Sequence, residues 1–224
     1  IRQLSELPAV PVPPMPGEIN LSISELGLRD VSLRDVRMDA TTDGRRWSLD
    51  GLEATLPGGT QLRLAGSVET EDGRPGFRGE GSLESVSLHS LAQLWRRPAS
   101  GNPLVNVPGS LAAKLILAGD TLSVSDGELT IGDAVHPFSA EIGFASATRH
   151  LNLRSSLGDL DRVASDRLLA FLPDLGADGR FGVTFPKGRF DLAAEGMTLT
   201  GVDGDSLAAS GFWEGGVLAL EAFS

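Results

Sequence analysis

The chain has 224 residues, 41% of them hydrophobic and 22% charged, which is enough apolar material for a packed core and excludes wholesale disorder. Thirty acidic against nineteen basic side chains give a formal net charge of -11 at pH 7; such a surface repels a phosphate backbone and argues against nucleic acid as a partner. There is no cysteine, so a disulfide framework, a thiolate metal site and a cysteine nucleophile are all excluded.

The chain begins at Ile1 without a charged n-region and apolar h-region, and it closes on a run, Val217 to Ser224, that reads as an unfinished strand; the expectation is a piece of a longer protein. No apolar run approaches the ~20 residues that span a bilayer. Residues 1–16 carry Pro8, Pro11, Pro13, Pro14 and Pro16, which remove backbone donors and favour extended dihedrals, so a stiff linker is predicted there. From Gly17 onward the dominant signal is alternation with period two, the mark of half-buried strands. The candidate lining positions come from it: Ile19, Leu21 and Ile23, then Leu62 and Leu64, then Leu111, Leu115 and Leu117. Phe138, Ile142 and Phe144 follow, then Phe181 and Val183, and last Phe190 and Leu192. Each is either core or the lining of a groove, because one face of each strand must be dry in either case.

Asp-Gly pairs at 43–44, 50–51, 72–73, 126–127, 178–179 and 203–204, with Gly-Gly at 58–59 and 215–216, supply turn signals at short intervals. Two-residue turns join antiparallel neighbours, so a meander is favoured over βαβ units. Two stretches read as helix: 87–97, with Leu88, Leu91, Leu94 and Trp95 on one face, and 161–172, with Leu168, Leu169 and Leu172 at helical spacing before Pro173. The tetrad Leu28-Arg29-Asp30-Val31 is echoed at Leu33-Arg34-Asp35-Val36, an odd offset that reverses the side-chain phase and calls for a bulge or bend near Ser32. The fold class that results is mainly β: an antiparallel, strongly curved, meandering sheet, an open groove or a sandwich, with two short helices. Three units are expected, 17–97, 98–175 and 176–224, which can merge into one continuous domain.

Signals for catalysis are poor. Gly204-Asp205-Ser206-Leu207 spells a known esterase nucleophile block, but it follows a turn near the C-terminal end in a β context and has no partner histidine block. His89, His136 and His150 are scattered, with no two at metal-ligand spacing, and the Asp203-Gly204-Asp205 run is explained by turn chemistry. The reading is therefore non-catalytic, with no cofactor and no metal.

The run Leu26-Gly27-Leu28-Arg29-Asp30-Val31-Ser32-Leu33 leads to Leu49-Asp50-Gly51-Leu52-Glu53-Ala54-Thr55-Leu56-Pro57-Gly58-Gly59-Thr60, then to Leu64-Ala65-Gly66-Ser67-Val68, and on to a short helix at Leu91 to Trp95. That order resembles the AsmA family of bacterial envelope proteins, well over 17–97, more loosely over 109–173 and faintly beyond. The resemblance implies a periplasmic β-groove on a protein anchored in the inner membrane through a segment not present in this chain. It also implies phospholipid acyl chains as ligand and a role in phospholipid transport between the inner and outer membranes and in outer-membrane homeostasis. From the residues alone, a structural or protein-interaction β module with a closed core stands as the alternative.

Overall fold

A computed structural model describes residues 11–28, 31–71, 74–96, 101–145, 149–172, 185–199, 202–214 and 216–224. The first half of the chain forms strands β1 (Gly17–Leu28), β2 (Val31–Thr42), β3 (Trp47–Leu56), β4 (Thr60–Glu71) and β5 (Arg74–Ser85), followed by helix α1 (Leu88–Ala92). Then come β6 (Gly109–Ala118), β7 (Thr121–Ile131), β8 (Ala134–Gly143), β9 (His150–Leu160) and helix α2 (Arg162–Phe171). Strands β10 (Lys187–Leu199), β11 (Val202–Gly204), β12 (Leu207–Glu214) and β13 (Val217–Phe223) complete it. All the strands belong to one open sheet in chain order, with β11 as a side branch on β10, so the sandwich alternative falls away. Pairing continues across both expected unit boundaries, from β5 to β6 and from β9 to β10.

The sheet departs from a pure meander once. Strands β9 and β10 are parallel; parallel neighbours need a crossover of a dozen or more residues, and the connection carrying α2 supplies it.

Three of the Asp-Gly pairs are not hairpin turns. Asp203-Gly204 is paired within β11, and Asp50-Gly51 lies inside β3 and Asp126-Gly127 inside β7, each at a shift of register where one extra residue bulges from the ladder. The bulge expected near Ser32 sits three residues later, at Asp35, where β2 and β3 slip and φ reaches 50°. The three strands share a pattern: an apolar pair two apart, a gap of three holding the aspartate, and alternation again. Thus Leu122 and Val124 precede Gly127, Leu129 and Ile131 on one face, because the extra residue restores the phase that the sequence had reversed. Each bulge also sharpens the local twist and bends the sheet toward that face.

The curvature can be read from what packs together. Val31 of β2, Leu56 of β3, Leu129 of β7 and Ala194 of β10 belong to one buried cluster with α1 and α2. In a flat sheet the eight steps from β2 to β10 would span roughly 38 Å, whereas two helices side by side cover about 20 to 24 Å. The sheet therefore curls around the helix pair. Leu88, Leu91, Leu94, Leu104 and Leu160 at its centre are essentially inaccessible. Short α1 has no side-chain cap; its first N–H groups donate instead to the carbonyls of Val107 (Leu88 N, 2.9 Å) and Leu104 (His89 N, 3.3 Å) in the connection to β6. Helix α2 is capped by Asp161, whose carboxylate accepts from Ala164 N at 2.7 Å.

The proline-rich start is less free than a linker. Although proline lacks a donor, its carbonyl still accepts, and Trp47 Nε1 donates to Pro11 O at 3.1 Å while Val12 packs beside Trp47 and Leu49.

Candidate functional site

The two faces of the sheet differ in chemistry. The outer face carries Arg63 between Glu53 and Glu84, Lys114 on Asp126, Arg154 on Asp191 and Arg189 on Glu221; such exposed pairs add little stability but keep that face wet. The inner face is predominantly apolar, with His136 and Ser155 as polar exceptions. At the helix end it is closed core. Away from the helices it holds two smaller buried clusters, one at Ala40, Trp47 and Leu49 and another at Leu151, Phe185 and Trp213, each flanked by partly buried apolar side chains.

Between the sheet and the helices lies a cavity of about 260 Å³. Its floor is β6 to β10 and its roof is Trp95, Leu168, Phe171 and Leu172. The roof is held together by contacts between the residues just after α1 and the end of α2. Trp95 and Phe171 meet edge to face, with ring centroids 5.0 Å apart at 85°, and Trp95 Nε1 donates to Phe171 O at 2.7 Å. The Arg96 guanidinium donates to the carbonyls of Leu169 and Leu172.

Among the candidate lining residues, Leu111, Phe138, Ile142 and Leu192 converge on this cavity. Leu62 packs against the helix-covered core. Leu64 joins the Trp47 cluster, and its side chain meets that of Leu115 over Gly81. Leu117, half-buried, lies between Phe77 and Leu122 in the ladder. Phe190 packs on Leu151 and Trp213. Ile19 and Leu21 share the inner face but lie on edge strand β1 and are 44% and 42% exposed, with Ile23 half-buried beside them. Phe144 falls just past the end of β8, its N–H on the carbonyl of Asp120 at 2.8 Å. Phe181 and Val183 lie outside the described residues.

Sequence reasoning did not select His136. It is 3% exposed, it lines the cavity, and neither Nδ1 nor Nε2 has a hydrogen-bond partner among the described residues. Burial holds its pKa below the ordinary 6.5, so the ring is neutral at pH 7. Leaving such a group unsatisfied costs about 1–3 kcal/mol. The other polar side chain of the lining, Ser155, donates to Pro137 O at 2.7 Å. The remaining histidines are elsewhere: His89 faces Gln93 within 2.8 Å on the α1 turn, and His150 Nε2 lies 3.0 Å from Glu141 Oε1.

No protein-family model, curated protein or solved structure matches the chain. Among the described residues no helix is long and apolar enough to cross a membrane.

Proposed function

We propose that this chain is a non-catalytic segment of an AsmA-like envelope protein whose inner face shelters phospholipid acyl chains on their way between the inner and outer membranes, with the inner-membrane anchor in a segment outside this chain. The observation that carries the reading is the extent of the apolar face. It runs from a roofed cavity, past two small buried clusters with partly buried apolar flanks, to exposed Ile19 and Leu21 at one edge of the sheet and to exposed Leu218 and Leu220 at the other. Transfer of each methylene onto such a face is worth about 0.8 kcal/mol, so binding selects the chain and tolerates the headgroup. Outer-membrane homeostasis would follow from supply of lipid through the periplasm.

A closed structural module is the second reading, and the near-inaccessible leucines under the helices favour it for that end of the sheet. Native mass spectrometry with lipid extraction, on the whole chain purified gently from a bacterial host, separates the two. The groove predicts stoichiometric phospholipid that is lost in Leu115→Asp or Ile142→Asp variants whose circular dichroism and melting stay native. A lipid-free protein of full thermal stability would overturn it in favour of the module.

A further inference from the structure

We propose that residues 11–16 are a displaceable strap across the apolar inner face, held by Trp47 and giving way to a lipid acyl chain. The inference rests on the reading of the inner face as a chain-binding surface and adds to it a means of control. Helices α1 and α2 pack on the opposite ends of β2 and β3, at Val31 and Leu56. Beside the β2–β3 turn, away from that cover, Ala40 is nevertheless 8% exposed and Trp47 and Leu49 9%, whereas Ile19, which faces Ala40 across the β1–β2 ladder, is 44% exposed. Val12 packs on this cluster and supplies part of its cover. Trp47 Nε1 fixes the segment by donating to the Pro11 carbonyl at 3.1 Å, an aromatic side chain taking a proline-rich segment as aromatic grooves take proline-rich peptides. An acyl chain laid on Ile19 and Leu21 extends onto the Trp47 cluster only by taking the place of Val12.

Composition makes the strap releasable. Pro11, Pro13, Pro14 and Pro16 leave it only the N–H groups of Val12 and Met15, so it lies on the sheet without being adopted as a strand. Among the described residues the indole bond is the one hydrogen bond that residues 11–16 make. The stiffness of the prolines lowers the entropic cost of docking again after release. Gly44 in the β2–β3 turn, with φ at 86°, gives the strap its passage, since a Cβ there would lie 3.3 Å from the Pro14 carbonyl group. The other two tryptophans make the same kind of bond inside packed structure. Trp95 donates to Phe171 O and also stacks on the Phe171 ring, and Trp213 donates to the carbonyl of Phe185, both residues being buried. Val12, by contrast, is only half-buried and Pro11 and Pro14 are exposed, so the Trp47 clamp is the one built to open.

The test uses the whole chain labelled with ¹⁵N at its tryptophans, titrated with diheptanoyl phosphatidylcholine below its micelle concentration, beside a Val12→Asp variant. In the unaltered protein the lipid is expected to move the Trp47 indole proton upfield, as loss of a carbonyl acceptor requires, while the Trp95 and Trp213 indole protons keep their hydrogen-bonded positions. Val12→Asp should show the same upfield shift without lipid and bind the lipid about fivefold more tightly, the factor that one net hydrogen bond represents. Lipid bound with the Trp47 proton unmoved overturns the proposal and leaves the groove, and this result needs no variant to fold. Equal affinity in the two proteins also overturns it. Lipid bound by Val12→Asp alone supports both strap and groove; lipid bound by neither protein removes the groove reading and, with it, the competition.

Discussion

Replacing Phe171 by alanine tests whether the roof of the cavity is part of the folded structure. The ring is 5% exposed and meets Trp95 edge to face. Burial of a phenylalanine side chain is worth about 1.5–3 kcal/mol, and the aromatic pair adds about 0.5–1.5 kcal/mol. In a solid core Phe→Ala costs about 3–5 kcal/mol. Here the deleted ring opens into existing empty space, where some of its contacts were already missing, so a loss near the lower bound, about 3 kcal/mol, is expected. Urea denaturation followed by far-ultraviolet circular dichroism measures it without relying on Trp95 as reporter. Leu169→Ala is the control: it lies on the same helix but is 52% exposed, and its loss should stay within about 0.5 kcal/mol. A cycle with Trp95→Ala should return a coupling of about 1 kcal/mol between the two rings. If Phe171→Ala loses no more than the control, or the coupling is nil, α2 is not docked through this contact and the cavity has no roof.

Three further outcomes are expected. Asp161→Ala removes the carboxylate that accepts from Ala164 N and should lower stability by about 1 kcal/mol in the same urea assay; an unchanged midpoint would mean the cap contributes nothing. For His136 the folded pKa lies below the unfolded value of 6.5, so below pH 6.5 the unfolded state binds the extra proton. Its contribution is therefore complete above pH 6.5 and is lost as pH falls toward the folded pKa, with a slope of at most about 1.4 kcal/mol per pH unit. His136→Leu should be at least as stable at pH 8 and gain a growing advantage below 6.5; parallel pH profiles for the two proteins would contradict this. Deleting Asp126 takes out the bulge residue and leaves Leu122, Val124, Gly127, Leu129 and Ile131 in strict alternation, so the chain should keep a cooperative calorimetric transition, and loss of that transition would refute the reading of Asp126 as the extra residue.

The strands and helices were legible because their signals are local. Alternation such as Leu111-x-Ala113-x-Leu115-x-Leu117 is visible within a strand's length, and the stretch 161–172 shows its cap, its apolar spacing and its proline stop. Turn chemistry was read less well, because Asp-Gly suits both a hairpin turn and a bulge. The connections from β6 to β7 and from β7 to β8 use Gly119-Asp120 and Gly132-Asp133, with φ of 57° and 63° at the glycines, the reverse order of the pair sought. The cavity was not legible at all as an assembly. Trp95, Leu111, Phe138, Phe171 and Leu192 are far apart in the chain and meet only because the sheet curls. Nothing around His136 in the sequence marks it, since its isolation is a property of the packed state.

The inner face also explains how a sheet with so many large apolar side chains keeps free volume. A Cβ at Gly79 would lie 2.7 Å from the Phe77 ring, one at Gly127 2.6 Å from the Phe138 ring and one at Gly188 2.3 Å from the Trp213 ring. These aromatics lie down on glycine backbone instead of standing up from the sheet, which shields the weak points of the ladder from water. Aromatics standing upright on neighbouring strands would fill the curve and make it a core. Lying flat, they leave a smooth apolar floor whose depth is set by the helices at one end and left open at the other. The glycines and the bulging aspartates thus act together: the bulges bend the sheet, and the glycines let its largest side chains follow the bend.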